Sequence, residues 1–321
     1  NVALKHDVDA IHPGYGFLSE NPDFARACRD VGIIWIGPSP EAMESLGDKL
    51  SSKVIAKEAN VPIVEASGKA LADYDSVLSF ARKIGFPVMV KAATGGGGRG
   101  MRVVHEEKNL EKLFSEASRE AKTAFGDDRV FVEKYIDNPK HIEVQILGDS
   151  HGNLVHLFER DCSVQRRFQK VVEVAPSINL KQKTRESLHK YAVDICKAVD
   201  YENAGTVEFL VDMEENIYFI EVNTRIQVEH TITEVITGID LVRAQILIAA
   251  GENIKDEKLD IGDQKDITYR GYAIQCRITT EDPQNGFKPD YGRLVAYRSA
   301  SGFGIRLDAG NAYAGANISP F

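Results

Sequence analysis

Residues 206–223 read TVEFLVDMEENIYFIEVN, two runs rich in β-branched and aromatic residues on either side of a polar turn. This pattern predicts a β-hairpin. If the turn is centred on Glu214 and Glu215, Glu208 lies opposite Glu221, and Asn223 shares their face because side chains alternate along a strand. The other face of the hairpin would be apolar, formed by Val207, Phe209, Val211, Tyr218, Ile220 and Val222.

Two carboxylates directly opposed on neighbouring strands destabilise the pair unless something neutralises them. A magnesium ion held by Glu208, Glu221 and the amide oxygen of Asn223 would do so, with its remaining positions left for phosphate oxygens. The alternative is a solvated outer face in a register that differs by one residue.

A glycine-rich segment, TGGGGRG at 94–100, contains G-x-G-x-x-G, but a strand-like run from Met101 to Val104 follows it. Dinucleotide-binding and P-loop motifs require a helix at that point, so both are excluded. Successive glycines let backbone N–H groups approach an anion closely, which favours a hairpin that closes over phosphates. Lys91, on the strand that enters the loop, would reach the same phosphates. The alternative is a flexible surface hairpin.

The segment after the predicted hairpin reads RIQVEH from Arg225 to His230. In an extended segment, Arg225, Gln227 and Glu229 would lie on one side. Such a row offers a guanidinium for an oxyanion and a carboxylate that can act as a base. An exposed strand is the alternative. The basic run at 165–170 would ordinarily be a solvated face, and His141 is either a structural residue or a ligand.

The chain has 321 residues, of which 43% are hydrophobic and 27% are charged. This composition excludes disordered and fibrous proteins. At about 150 residues per domain, the length predicts about two domains. The net charge of −9 disfavours nucleic acid as a partner. No apolar run approaches the roughly 18 residues of a membrane span, so we expect no membrane partner.

The four cysteines, Cys28, Cys162, Cys196 and Cys276, are far apart and form no CxxC motif. Reduced thiols are expected, and a zinc site is not. This favours a cytoplasmic location, or the mitochondrial matrix in a eukaryote. The chain begins without Met and ends at Phe321 without a closing helix, so we expect an excerpt of a longer polypeptide, cut at both ends.

Several motifs together resemble the biotin carboxylase component of biotin-dependent carboxylases. They are His12–Asn21, Gly47–Lys49, Gly95–Met101, Arg160–Ser163 and Phe219–His230. The segments Gln169–Pro176, Glu229–Thr231 and Ile274–Arg277 are more similar to the pyruvate carboxylases than to the acyl-CoA carboxylases. The resemblance covers essentially the whole chain.

The resemblance implies an α/β (α+β) ATP-grasp fold, in which a mobile glycine-rich lid closes over the nucleotide. The expected organisation is a partial N-terminal subdomain at 1–46, an ATP-grasp core at 47–254 and a partial C-terminal subdomain at 268–321. The lid would span about 64–135. The family's first βαβ unit and the end of its last subdomain are absent from the segment.

The resemblance also implies roles for individual residues. The nucleotide would be bound by Lys49, Lys91, Gly96, Gly97, Met101, Glu133, Ile136, His141, Gln165 and Leu210. Magnesium, or Mn²⁺ in its place, would be held by Glu208, Glu221 and Asn223, in agreement with the hairpin pattern. Bicarbonate and biotin would meet Lys170, Arg225, Gln227, Val228, Glu229, Tyr15 and Arg277. The catalytic residues would be Glu229, Arg225 and Lys170.

The implied reaction is the ATP- and bicarbonate-dependent carboxylation of N1 of biotin through carboxyphosphate, the first half-reaction of pyruvate carboxylase. No biotinylation motif is present, so biotin would arrive on a carrier outside this segment. Carrier and carboxyltransferase domains of the same or another chain, and further copies in a homo-oligomer, are the expected partners.

Two alternatives remain open. The same half-reaction could serve an acetyl- or propionyl-CoA carboxylase, or the chain could be a non-catalytic nucleotide-binding or interaction module. Phe168 stands where the family has histidine and cannot hydrogen-bond a ribose hydroxyl. Loss of one such bond, worth about 0.5–1.5 kcal/mol, predicts weaker nucleotide affinity with retained chemistry.

Overall fold

A computed structural model describes residues 1–71, 73–92, 101–166, 169–308, 310 and 312–319, without the side chains of Lys49, Leu50 and Phe125. The chain divides into two compact units, 1–276 and 277–321. The first unit begins with helix α1 (Val2–Lys5), strand β1 (Ala10–Ile11), helix α2 (Pro22–Asp30), strand β2 (Ile34–Trp35), and helices α3 (Pro40–Gly47) and α4 (Lys49–Glu58). Strands β1 and β2 pair in parallel.

The helix starts follow the capping residues of the sequence. The Asn21 side chain accepts a hydrogen bond from the backbone N–H of Phe24 at 2.8 Å, and Ser39 accepts one from Ala42 at 3.1 Å. Each cap satisfies an N–H group that has no partner within the helix. In α3, Pro40 follows the capping Ser39 and takes the first helical position, where its missing N–H costs nothing.

A separate α/β module follows. It contains helix α5 (Tyr74–Ile84), strands β3 (Val88–Ala92) and β4 (Met101–Val104), a 3₁₀ turn (Glu107–Asn109), helix α6 (Leu110–Phe125) and strand β5 (Val130–Lys134). The strands form an antiparallel sheet in the order β4-β3-β5. Alternate apolar residues of the strands pack on α5 and α6, which gives this module its own core.

The main sheet has six antiparallel strands, in the order β10-β9-β6-β7-β8-β11. The elements are β6 (Lys140–Gly148), β7 (Leu154–Arg166), β8 (Gln169–Ala175), α7 (Gln182–Lys197), β9 (Asn203–Val211), β10 (Ile217–Asn223), α8 (His230–Thr237), α9 (Leu241–Ala249) and β11 (Ala273–Cys276). Ile142, Val144 and Ile146 of β6 join the core that contains residues of α4 and α7. Since side chains alternate along a strand, the polar residues between them lie on the opposite face, where the candidate site forms.

The predicted β9–β10 hairpin is confirmed, with Glu208 opposite Glu221. A β-bulge between Phe219 and Glu221 shifts the register within β10, which the sequence pattern did not predict. The predicted apolar face is wrong at two positions. Tyr218 and Ile220 are half-buried, whereas Phe219 is fully buried, because the bulge turns it toward Phe209.

The second unit contains the short strands β12 (Glu281–Asp282), β13 (Lys288–Pro289), β14 (Gly292–Arg293) and β15 (Asn317–Ile318). They form two antiparallel pairs, β12 with β13 and β14 with β15. Across the described parts of both units, no helix is both long and apolar enough to cross a membrane.

Candidate active site

The polar face of the main sheet converges on the carboxylate of Glu208, which is almost completely buried on β9. His141 Nε2 lies 2.8 Å from its Oε2. Its Oε1 accepts hydrogen bonds from Lys170 Nζ at 2.7 Å, Asn223 Nδ2 at 2.9 Å and Gln227 Nε2 at 3.0 Å. Four side chains from β6, β8, β10 and the segment after β10 therefore meet at one carboxylate.

Lys170 connects this carboxylate to two more. Its ammonium donates to Glu143, to Glu208 and, at 2.8 Å, to Glu229 Oε1. Burial by itself would lower the pKa of Lys170, but the carboxylates of Glu143 and Glu208 outweigh burial and hold the pKa well above its usual value. Lys170 is therefore a permanent cation at the centre of three acidic side chains.

The cationic groups around Glu208 shift its pKa, and Glu208 shifts the pKa of His141. Burial would raise the pKa of Glu208, but Lys170 and His141 overcome this effect and hold the pKa well below its usual range. Burial would lower the pKa of His141, and the neighbouring Glu208 carboxylate overcomes that effect and raises it. These opposite directions favour an ionised Glu208 beside a protonated imidazole.

The segment carrying Arg225, Gln227 and Glu229 is irregular and turns before α8, so the predicted extended conformation is wrong, and so is the alternative of an exposed strand. Its three side chains nevertheless join the hydrogen-bond network around Glu208, each through a different partner. Gln227 donates to Glu208, and Glu229 accepts from Lys170. Arg225 Nη2 donates to Asn223 Oδ1 at 3.1 Å, which connects it to Glu208 through one residue. Val228, between Gln227 and Glu229 in the sequence, is 37% exposed.

The residues predicted to hold magnesium are brought together by the register of the hairpin. Glu208 and Glu221 are cross-strand neighbours, and Asn223 follows two residues later on the same strand. Carboxylate and amide oxygens are the donors that Mg²⁺ prefers, so this donor set fits the ion.

Six of the predicted nucleotide-binding residues lie on β3, β4, β5, β6, β7 and β9, whereas Ile136 follows β5 and Lys49 begins α4. Glu133 is buried between two lysines, with Lys91 Nζ 2.5 Å from its Oε2 and Lys53 Nζ on its other oxygen. Gln165 donates to the backbone carbonyl of Cys162 at 2.9 Å. The half-buried residues Met101, Ile136, His141 and Leu210 complete the described part of the set. Gly96, Gly97, Phe168 and the side chain of Lys49 lie outside the described residues.

Two residues predicted to meet biotin lie in different units. Tyr15 is 53% exposed on the loop between β1 and α2. Arg277 belongs to the unit 277–321. Their roles stay predictions.

Comparison with known proteins identifies the family. Residues 48–257 match the model for the carbamoyl-phosphate synthase L chain ATP-binding domain, and residues 1–43 match the biotin carboxylase N-terminal domain. The biotin carboxylase domain of Hydrogenobacter thermophilus 2-oxoglutarate carboxylase superposes with a TM-score of 0.93 at 48% identity, and the match covers 100% of this chain and 69% of that one. The chain belongs to the biotin carboxylase family. Members of this family are ATP-dependent ligases with an α/β ATP-grasp fold, so the resemblance and the fold class predicted from sequence are confirmed.

Among the biotin carboxylase relatives, Staphylococcus aureus pyruvate carboxylase is 56% identical over 321 residues, which are 100% of this chain and 28% of that protein. Pyruvate carboxylase from Aspergillus terreus is 57% identical over 319 residues, 99% of this chain and 26% of its own length. The structure of Rhizobium etli pyruvate carboxylase superposes with a TM-score of 0.92 at 54% identity, covering 100% of this chain and 28% of that one. The chain thus spans just over a quarter of the length of these relatives.

Several residues that contact the candidate site were not predicted as site residues. Glu143 binds Lys170, and Arg160 binds both Glu143 and Gln227. Lys53 pairs with Glu133, and Glu20 pairs with Arg225. Glu20 and Arg160 lie in segments that carried the resemblance, and Glu143 alternates with buried apolar residues on β6. Those signals mark the positions, but only the fold supplies their partners.

Proposed function

We propose that this chain carries out ATP- and bicarbonate-dependent carboxylation of N1 of carrier-bound biotin through carboxyphosphate. The observation that carries the proposal is the convergence of Glu208, Lys170 and Glu229 on one face of the sheet. The cation of Lys170 thus lies within hydrogen-bonding distance of both the candidate base Glu229 and the proposed metal-ligand carboxylate Glu208. The Hydrogenobacter relative was crystallised with MgADP and bicarbonate, which supports the same ligands here.

In this proposal Glu229 accepts the proton of bicarbonate, and the resulting oxyanion attacks the γ-phosphate of ATP. Lys170 and Gln227 hold the bicarbonate through N–H donors. Lys91, with Lys49, neutralises charge on the phosphates. Positioning and electrostatic stabilisation supply most of the catalysis of phosphoryl transfer, which is consistent with a site built from fixed donors and cations.

Magnesium, or Mn²⁺ in its place, would be held by Glu208, Glu221 and Asn223. When bound, the ion supplies positive charge to the phosphate oxygens of the nucleotide. Glu208 already lies beside Lys170 and His141, so the protein's own cations keep this carboxylate ionised.

Carboxyphosphate then decomposes to carbon dioxide and phosphate, the released phosphate takes the N1 proton of biotin, and N1 attacks the carbon dioxide. Arg225 is proposed to stabilise the enolate-like oxygen that forms when N1 loses its proton. Its guanidinium lies at the edge of the polar centre, anchored by Asn223 and Glu20. Tyr15 and Arg277 are proposed to contact biotin, and Val228 to line the bicarbonate site. Adenine would lie against Met101, Ile136 and Leu210 beside Glu133, and the ribose beside His141 and Gln165.

For the organisation of the chain, we propose an N-terminal subdomain at 1–46, an ATP-grasp core at 47–254 with a lid at about 64–135, and a C-terminal subdomain from 268. Gly96 and Gly97 would cover the phosphates. Carrier and carboxyltransferase domains are proposed as partners. The Hydrogenobacter domain was crystallised as a dimer, which supports a homo-oligomer.

Pyruvate is the proposed final acceptor, with oxaloacetate as product. The pyruvate carboxylase relatives are 54–57% identical to the chain, compared with 48% for the 2-oxoglutarate carboxylase domain. The four cysteines are unpaired, which supports a reducing compartment such as the cytoplasm or the mitochondrial matrix.

Bicarbonate-dependent ATP cleavage, measured on the full-length protein with and without free biotin, tests the proposal. We expect biotin to stimulate cleavage and Glu229→Ala to reduce kcat by about 10²-fold or more, because a general base contributes on that scale. Glu186→Ala, at an exposed position on α7, is the matched control and should behave as wild type. Absence of bicarbonate-dependent cleavage in the wild-type protein would refute the catalytic function and leave the non-catalytic nucleotide-binding module.

A further inference from the structure

Arg160 on β7 is the largest fully buried side chain among the residues that the structure describes. Each nitrogen of its guanidinium donates at least one hydrogen bond. Its Nε donates to Glu143 Oε1. Its Nη1 donates to Gln145 Oε1 at 2.7 Å and Thr233 Oγ1 at 2.9 Å, and its Nη2 donates to Thr206 Oγ1 at 3.2 Å and Gln227 Oε1 at 3.1 Å. One cation therefore connects β6, β9, α8 and the segment after β10.

The bond to Gln227 fixes which way its amide points. Because Arg160 can only donate, the oxygen of Gln227 must face Arg160, and the amide nitrogen must face Glu208, as observed at 3.0 Å. If the amide rotated by a half-turn, its oxygen would face the Glu208 carboxylate and its donor would be lost to any anion bound there. Arg160 therefore selects the orientation that presents N–H toward the centre.

The hydrogen bond from Arg160 to Glu143 also affects the position of Lys170. One oxygen of Glu143 accepts from Arg160, and the other accepts from Lys170. Glu143 is thus shared by two cations, which leaves Lys170 able to contact Glu208 and Glu229 as well. Without Arg160, the buried carboxylates of Glu143, Glu208 and Glu229 would outnumber the nearby cations, and an anion would meet net repulsion.

We propose that Arg160 is a positioning residue for the bicarbonate site, acting through Gln227 and Glu143 without touching the substrate. The proposal rests on the proposed function, since it assigns the anion at this centre as bicarbonate. It predicts a selective effect: the affinity for bicarbonate depends on Arg160, whereas the affinity for the nucleotide does not. The reason is that Arg160 donates all of its hydrogen bonds to residues outside the proposed nucleotide-binding set.

The test compares Arg160→Gln, Arg160→Lys and Arg185→Gln in the full-length protein. Arg185 is the matched control, because its Nε lies 2.9 Å from buried Glu159, the residue before Arg160, but on the side of α7. We expect Arg160→Gln to raise the KM for bicarbonate by about tenfold or more, as loss of charge-assisted hydrogen bonds would. The KM for ATP should stay within about twofold of wild type. Arg160→Lys keeps the charge and should recover part of the loss, while Arg185→Gln should lower the Tm without changing the KM for bicarbonate.

An unchanged KM for bicarbonate in folded Arg160→Gln would overturn the proposal, and so would an equal rise in Arg185→Gln. If Arg160→Gln does not fold, Thr206→Val provides the measurement. It removes one acceptor of the same Nη2 that holds Gln227, and a KM for bicarbonate equal to that of wild type would count against the proposal. If the wild-type protein shows no bicarbonate-dependent ATP cleavage, the proposed function is refuted, and the role of Arg160 with it. If the wild-type protein is active but the Arg160 variants keep its KM for bicarbonate, only the role of Arg160 is refuted.

Discussion

Arg225 is anchored by a residue that is 205 positions away in sequence. The carboxylate of Glu20 accepts from Arg225 Nε at 2.9 Å and from the backbone N–H of Thr224 at 3.2 Å. On its other side, Arg225 donates to Asn223. The guanidinium is therefore oriented between the β1–α2 loop and the proposed metal site, and its position depends on both.

Glu20→Gln tests this orientation at the scale of one residue. The amide keeps the size of the side chain but loses the charge that binds Arg225. We expect the KM for free biotin to rise by about tenfold, because hydrogen bonds to charged groups contribute roughly 1.5–3 kcal/mol. Bicarbonate-dependent ATP cleavage without biotin should remain within about twofold of wild type, because Glu20 contacts neither Lys170 nor Glu229. Steady-state kinetics with varied biotin measures both quantities.

Glu41→Gln is the control for Glu20→Gln. It removes one carboxylate that pairs with Arg29 at 3.1 Å in an exposed ion pair of α2 and α3, far from the polar centre in sequence. Its biotin kinetics should match wild type. Equal kinetics for Glu20→Gln and wild type would show that Glu20 does not position Arg225.

Among the secondary-structure elements, Glu133 joins α4 to the β4-β3-β5 sheet. It lies on β5, its partner Lys91 lies on β3, and Lys53 lies on α4. Burial would raise the pKa of Glu133, but Lys91 and Lys53 overcome this effect and lower the pKa to about 2. A carboxyl group whose folded-state pKa is depressed stabilises the protein above its unfolded-state pKa, and this stabilisation is lost as the pH falls toward the folded-state value.

Glu133→Gln tests this contribution. We expect the variant to be less stable than wild type at pH 7 by an amount on the order of 3 kcal/mol, which follows from a pKa change of about two units or more. The difference in unfolding free energy should narrow as the pH falls below about 4.5, where the wild-type carboxyl begins to protonate in the unfolded state. Urea unfolding at several pH values between about 3 and 7 measures it.

Glu116→Gln is the control in the same module. Glu116 pairs with Arg102 at 3.5 Å, and both side chains are substantially exposed. Exposed ion pairs contribute about 0–1 kcal/mol, so its effect should be small at every pH. If the difference in unfolding free energy between wild type and Glu133→Gln does not change with pH, the charge of Glu133 adds nothing to stability.

At the scale of the first unit, a series of hydrogen-bonded polar side chains connects the β1–α2 loop to α9 and β9. The His12 ring accepts from the backbone N–H of Gly14 through Nδ1, so Nε2 carries the proton and donates to Gln245 Oε1 at 3.2 Å. Gln245 Nε2 in turn donates to Asn203 Oδ1 at 2.9 Å. These bonds attach the loop that carries Tyr15 and Glu20 to the main body of the unit.

Gln245→Leu breaks this series of hydrogen bonds while keeping the size of the side chain. It leaves the Nε2–H donor of His12 without its partner and removes one of the two hydrogen bonds to Asn203 Oδ1, which still accepts from the backbone N–H of Ala204. The loss should cost about 1–3 kcal/mol of stability. Because the loop also carries Glu20, the KM for biotin should rise more than the KM for bicarbonate. Thermal unfolding and kinetics of the full-length protein give the two readouts.

Gln182→Leu is the matched control for Gln245→Leu, since the exposed Gln182 side chain on α7 donates to Glu186 Oε1 at 2.9 Å. A Gln245→Leu protein with the stability and biotin kinetics of the control would contradict the proposed attachment.

Local sequence patterns predicted most of the elements. The runs at Met101–Val104, Gln169–Ala175 and Ile217–Asn223 form strands with those bounds, because their composition and flanking turns agree with the final sheet. Helix α8 was not predicted from its residues His230–Thr237, in which threonine and isoleucine disfavour helix. Its burial against β7, β8 and β11 explains why tertiary packing overrides that preference.

The sequence predicted the candidate metal ligands of the site, but it did not predict which side chains contact them. Opposed glutamates on a hairpin imply a neutralising group, and the sequence alone led to Glu208, Glu221 and Asn223. It did not lead to Lys170 as a partner of three carboxylates, because 38 residues separate it from Glu208 and 59 from Glu229. Spacing along a strand determines which side chains share a face, but it carries no information about which strand lies beside it.

The sequence by itself determined the family, the hairpin register at Glu208 and Glu221, and the residue types that a phosphate and bicarbonate chemistry requires. These follow from local periodicity and from motifs whose residues are neighbours along the chain. The tertiary structure decided the bulge in β10, the orientation of Gln227 and the burial of Arg160 among five acceptors. The physical reason is that a buried charge is tolerated only where partners from distant parts of the chain surround it, and the fold alone assembles those partners.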